Sequence, residues 1–130
     1  MISFRIDARS GVSPYLQIGQ QVRQALRMGV LKVGDQVPSV REVVAATAIN
    51  PNTVLKAYRE LEREGLVEPR TGFGTFVRAL PPGPPPETHS RLGRKLEAWV
   101  GEARTAGLDD ESIESLLRVA LQQGAVEDIA

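Results

Sequence analysis

Cysteine is absent from the 130 residues, which excludes disulfide staples, thiolate metal sites and a cysteine nucleophile. Histidine occurs once, as His89, with no Ser/His/Asp or multi-histidine constellation around it. No uncharged apolar run approaches the ~18 residues that a membrane span needs. The opening Met1-Ile2-Ser3-Phe4-Arg5-Ile6-Asp7 lacks the apolar core of a secretory signal and alternates as a strand does. Asp109-Asp110-Glu111 is read as the acidic first turn of a helix, favoured by the macrodipole, rather than as a metal site. These absences lead to the expectation of a non-enzymatic, cytoplasmic protein with no cofactor and no membrane partner.

What is present is an ordinary globular composition, 42% apolar and 25% charged, enough for a small domain with an appendage. The formal net charge of zero hides an asymmetry. Residues 1–78 hold 11 Lys/Arg against 7 Asp/Glu, and residues 79–130 hold 5 against 9. A front segment that meets an anion, followed by a tail that does not, fits this split.

Pro81-Pro82-Gly83-Pro84-Pro85-Pro86 separates the two halves, because proline continues neither helix nor sheet. It reads as a semi-rigid spacer, placing a domain at 1–78, a linker at 79–87 and a helical tail at 88–130. In the front domain three helices and a hairpin are expected. The first starts at Ser13-Pro14 with Tyr15, Ile18, Val22, Ala25, Leu26 and Met28 inward, and ends at Gly29. The second opens with Ser39-Val40-Arg41-Glu42, a capping-box pattern, with Val40, Val43 and Val44 inward and small residues at Ala45–Ala48. Asn50 caps the third, with Pro51 in its first position.

The third helix carries the most information. Val54, Ala57, Tyr58 and Leu61 form its inner stripe, while Asn52, Lys56, Arg59 and Arg63 group on the opposite side. Gly65 closes it. Leu66–Pro69 and Thr75–Arg78 then read as strands of a hairpin whose tip runs from Arg70 to Gly74. In the tail, Leu92, Leu96, Trp99, Val100 and Ala103 make one helical stripe, stopped by Gly107. Ile113, Leu116, Leu117, Ala120 and Leu121 make another, stopped by Gly124. A two-helix hairpin of this size buries too little to stand alone and needs a partner surface.

Helix, short turn, helix with a polar outer face and glycine-tipped hairpin outline a mainly α, winged helix-turn-helix followed by a two-helix dimerisation tail. Such a third helix lies in a major groove with its first residues at base edges. Asn52 and Thr53 then stand near base edges, Lys56, Arg59 and Arg63 can reach phosphates or guanines, and Arg70 lies beside tip glycines that allow close approach to the sugar-phosphate. Leu92, Leu96, Trp99, Leu116, Leu117 and Leu121 are the candidate dimer contacts. Lys56, Arg59 and Arg63, taken alone, also fit a solvated face laced to Glu60, Glu62 and Glu64.

The blocks Gly34-Asp35-Gln36-Val37-Pro38-Ser39-Val40-Arg41-Glu42, Asn50-Pro51-Asn52-Thr53-Val54, Leu61-Glu62-Arg63-Glu64-Gly65-Leu66-Val67 and Gly72-Phe73-Gly74-Thr75-Phe76-Val77 resemble the GntR family of bacterial transcription regulators. The short helical tail resembles its YtrA-like branch. The resemblance implies a backbone contact for Arg41, operator reading by Asn52, Thr53 and Lys56, and a wing glycine, Gly72, in the minor groove, so that the candidate DNA-binding residues are Ser39, Arg41, Pro51, Asn52, Thr53, Lys56, Arg59, Arg70, Thr71 and Gly72. Pro51 and Leu55 stand where many relatives carry arginine, so base preference does not transfer. The expectation is a dimeric, sequence-specific regulator of duplex DNA, a repressor of a small, transport-related operon with a palindromic operator. A small-molecule effector is a further candidate partner. The rival reading is a winged helix that serves as a protein-interaction module.

Overall fold

Short-range chemistry sets most helix boundaries in the computed structural model, which describes residues 2–129, with side chains through Gly124. The elements are α1 (Pro14–Arg27), α2 (Val40–Thr47), α3 (Pro51–Arg63), β1 (Val67–Arg70), β2 (Gly74–Val77), α4 (Pro86–Thr105) and α5 (Asp110–Ile129). At α2 the Ser39 hydroxyl accepts from the Glu42 N–H at 3.1 Å, and the Glu42 carboxylate accepts from the Ser39 N–H at 3.2 Å. The Asn50 side chain accepts from the Asn52 N–H at 2.8 Å and starts α3. Ser13 differs from expectation, since its side chain makes no cap bond; Pro14 already removes one donor that a cap serves.

Helix α3 ends as its sequence implies. Gly65 takes φ 79°, its N–H bonds the Glu62 carbonyl, and the Leu66 N–H bonds that of Leu61. The same pairing closes α1 at Gly29 and α4 at Gly107. The turn from α2 to α3 is less ordinary. Ala48 occupies the left-handed region at φ 59°, the one non-glycine with positive φ among the described residues.

The chain divides into two compact units, Met1–Ser90 and Arg91–Ala130. In the first, Ile18, Val22 and Leu26 of α1, Val43 of α2, and Val54, Ala57, Tyr58 and Leu61 of α3 form a core closed by Leu66, Val67 and Val77. Met28 lies past the last turn of α1 and is exposed, and so are Ala45, Ala46 and Ala48.

The amino-terminal alternation is real, but the element is not a strand. Phe4 is buried, with Ile2 and Ile6 half-buried and Ser3, Arg5 and Asp7 exposed. Two α1 side chains do what a neighbouring strand would do. Gln21 accepts from the Arg5 N–H at 3.0 Å and donates to the Arg5 carbonyl at 2.6 Å. Gln17, itself buried, does the same at Asp7 with 2.8 and 2.9 Å.

Strands β1 and β2 pair antiparallel, with Val67 opposite Val77 and Arg70 opposite Gly74. The hairpin is offset by one residue from the sequence reading, leaving Thr71-Gly72-Phe73 as its tip. Helix α4 starts at Pro86 rather than at residue 88, because proline suits a first helical turn. Within the first unit, Ser90 of that opening turn donates to the Met28 carbonyl at 3.0 Å.

In the second unit, Ala103 of α4 and Ile113 of α5 are buried. Asp109 accepts from the Ser112 N–H at 2.8 Å and caps α5; that bond holds its carboxyl below the ordinary range. Gly124 does not stop α5, which continues to Ile129. One glycine weakens a helix by ~1 kcal/mol and does not terminate it.

Candidate nucleic-acid interface

Helix α3 is fixed from its inner side, which leaves its outer side free to meet a partner. Val54, Ala57 and Leu61 are essentially inaccessible, and the Tyr58 hydroxyl donates to the Pro38 carbonyl at 2.5 Å. Burial, aided by the Glu42 charge, pushes the Tyr58 phenol well above its ordinary value, so it stays a neutral donor. Pro38 immediately precedes Ser39, so this bond ties the middle of α3 to the amino-terminal end of α2.

On the opposite side, Pro51, Asn52, Leu55, Lys56, Arg59 and Arg63 are exposed, and Thr53 is half-buried. Among the described residues the ion pairs are Arg23–Glu64, Arg70–Glu68 and Arg104–Asp110. Lys56, Arg59 and Arg63 therefore hold no carboxylate, and the laced-face reading does not describe this helix. Glu64 turns instead to Arg23 of α1 at 2.6 Å, and that bond raises the guanidinium pKa. Lys56 is oriented over an aromatic face, its Nζ 3.9 Å from the centre of the Tyr15 ring.

The other candidates fall at two places. Arg41 is exposed in the first turn of α2, and its neighbour Glu42 is committed to the capping box. The Ser39 hydroxyl is taken up by the same box, although it keeps its own proton to donate. Thr71 and Gly72 are exposed at the hairpin tip, with Gly72 at φ 82°. Arg70 is held back at the base of the tip, 3.3 Å from Glu68 and 4.4 Å from the centre of the Phe76 ring. Its charge is partly answered within the hairpin.

Two residues of this region escaped the sequence reading. Phe73 projects from the tip, and Gln36 donates to its carbonyl at 3.0 Å. The available signal was an apolar residue placed between two glycines in a turn.

A capped helix with an unpaired basic face, reached through a three-residue turn and followed by a glycine-tipped hairpin, is the architecture of the winged helix-turn-helix transcription regulators. The description "Bacterial regulatory proteins, gntR family" matches residues 14–77. The HTH-type transcriptional regulator YhcF of Bacillus subtilis is 41% identical over 100 residues, 76% of this chain and 82% of that one. The chain belongs to the GntR family, in its YtrA-like branch. The HTH-type transcriptional repressor YtrA of Bacillus subtilis is 49% identical over 73 residues, and the match spans 56% of its length. The solved structure of YtrA from Sulfolobus acidocaldarius, a GntR-family transcription factor, superposes with a TM-score of 0.55 at 28% identity, covering 77% of this chain and 97% of that one. No helix among the described residues is long and apolar enough to cross a membrane.

Proposed function

We propose that the protein is a cytoplasmic repressor that binds a palindromic operator as a homodimer, α3 reading bases in the major groove. The observation that carries this is the outer face of α3, where Lys56, Arg59 and Arg63 are exposed without carboxylate partners among the described residues on a helix locked from behind by Tyr58. Asn52 and Thr53 stand in its first turn, where side chains reach base edges. Arg41 then holds phosphate, a contact that positions without specifying, and the wing reaches toward the adjacent minor groove. Small operons of transport genes are the target class that the family resemblance implies.

The tail supports the dimer. Leu92, Leu96, Leu116 and Leu121 are 50%, 47%, 47% and 76% exposed, while Trp99 and Leu117 are only half-buried. A helical hairpin does not leave that many leucines in water without a partner. A second copy supplies the same apolar stripe and doubles the DNA contacts through effective concentration. Selection of bound sequences from random duplex DNA tests the reading. A two-fold symmetric motif with half-sites one helical turn apart, ~10 base pairs, is expected. A single asymmetric half-site removes the dimer, and no enrichment removes DNA recognition altogether.

A further inference from the structure

Phe73 is 76% exposed, among the most exposed large apolar side chains described, and it sits on a backbone that is not loose. Its N–H bonds the Arg70 carbonyl at 2.9 Å, and its carbonyl accepts from Gln36 Nε2 at 3.0 Å. The next residue, Gly74, takes φ 119°, and a Cβ there would lie 2.5 Å from that same Gln36 nitrogen. The hairpin is thus pinned on one side by Gln36 and trimmed of side chain at Gly72 and Gly74, with one aromatic ring held out between them.

Residues 71–74 carry no charge, and the nearest cation, Arg70, is engaged with Glu68 and Phe76. A tip of this kind is poorly made for gripping phosphate. It is well made for an apolar, narrow slot. With α3 in a major groove, the hairpin leaves directly from the end of that helix and extends ~13 Å over its four-residue strands. That reach crosses one phosphate backbone into the neighbouring minor groove, which is ~6 Å wide and walled by sugars. Apolar side chains placed there meet sugar and base edge without a hydrogen bond.

We infer that Phe73 is a specificity-determining residue: its ring enters the minor groove beside each half-site and selects A·T over G·C pairs there. The physical basis is one group. G·C adds the guanine N2 amino group to the groove floor, whereas A·T and T·A present only acceptors. A ring with no acceptor cannot satisfy that donor and is crowded by it. This inference rests on the DNA-binding reading above, and it adds sequence preference outside the segment that α3 reads.

The test uses the full chain and the duplex recovered by selection, with the pairs flanking each α3 contact changed to A·T, G·C or inosine·C. Inosine lacks the N2 amino group, so inosine·C resembles A·T in the minor groove and G·C in the major groove. The wild type should bind the A·T and inosine·C duplexes alike and the G·C duplex about tenfold more weakly, a discrimination of the size one base pair supplies. Phe73→Ala should bring the three within about twofold while keeping the selected central motif and the thermal unfolding of the wild type. Phe73→Lys should recover affinity through phosphate, steepen the salt dependence and leave the flank preference lost. Retention of the preference in Phe73→Ala overturns the inference, and so does a wild type that groups inosine·C with G·C. A wild type that binds no duplex refutes the DNA reading itself, which sets that failure apart from failure of Phe73 alone.

Discussion

The Tyr58 hydroxyl and the Pro38 carbonyl, 2.5 Å apart, join the middle of α3 to the start of α2. Tyr58→Phe keeps the ring but strands a buried carbonyl, and should destabilise the front unit by about 1 kcal/mol. The pH dependence has a definite sign. Burial raises the phenol above its ordinary 10.0, so its contribution is intact below pH 10 and is lost as pH rises beyond it. Wild-type stability measured by denaturant should fall above pH 10 more steeply than that of Tyr58→Phe. Equal slopes would mean that the buried hydroxyl is not coupled to folding.

Arg41 and Asn52 should separate by role. Arg41→Ala should weaken every duplex to a similar degree and flatten the salt dependence, whereas Asn52→Ala should relax preference at one operator position at ~1–3 kcal/mol. Binding across a panel of single-base variants of the selected operator makes the comparison. Identical behaviour of the two variants would show that one of them is misplaced.

Ala48 holds φ 59° in the turn between α2 and α3, where an L-residue costs ~1–2 kcal/mol more than in the right-handed region. Ala48→Gly relieves that strain at some expense in unfolded-chain entropy. A net gain of up to ~1 kcal/mol in unfolding free energy is expected, with DNA affinity unchanged. A loss of stability would show that the Ala48 methyl group contributes a contact of its own.

A chain ended after Ser90 retains the whole core of the first unit. Sedimentation should find it folded and monomeric, and its affinity for a palindromic operator should drop by roughly 10²–10⁴. A truncated chain that remains dimeric would remove the tail from dimerisation.

The front unit was largely legible because its signals are local. Ser39 with Glu42, Asn50 with Pro51, and Gly65 after Leu61 each bond within a few residues, and the α3 stripe follows from periodicity. What escaped depends on distant partners. The Phe4 segment alternates like a strand, yet its backbone is met by Gln17 and Gln21 of a helix, an arrangement that no period encodes. Lys56 over Tyr15 joins α3 to α1 and has no sequence spacing that reveals it. The hairpin offset and the passage of α5 through Gly124 were decided by pairing and helix length rather than by the breaker residues. At the candidate site, the basic residues of α3 were evident, but their lack of carboxylate partners was not, since Glu60 and Glu62 stand three or four residues from them, spacings that would have allowed pairing. The projection of Phe73 depended on Gln36, 37 residues away.

The most direct measurement of the central claim is the affinity of the full chain for its selected duplex as a function of salt. If α3 and Arg41 meet phosphates and groove edges as described, log K should fall linearly with log salt, by about 0.9 for each phosphate neutralised. The double variant Lys56→Ala, Arg59→Ala should lose ~1–2 from that slope. Binding that is insensitive to salt, or a slope unchanged by removal of both cations, would contradict the assignment of this helix to DNA.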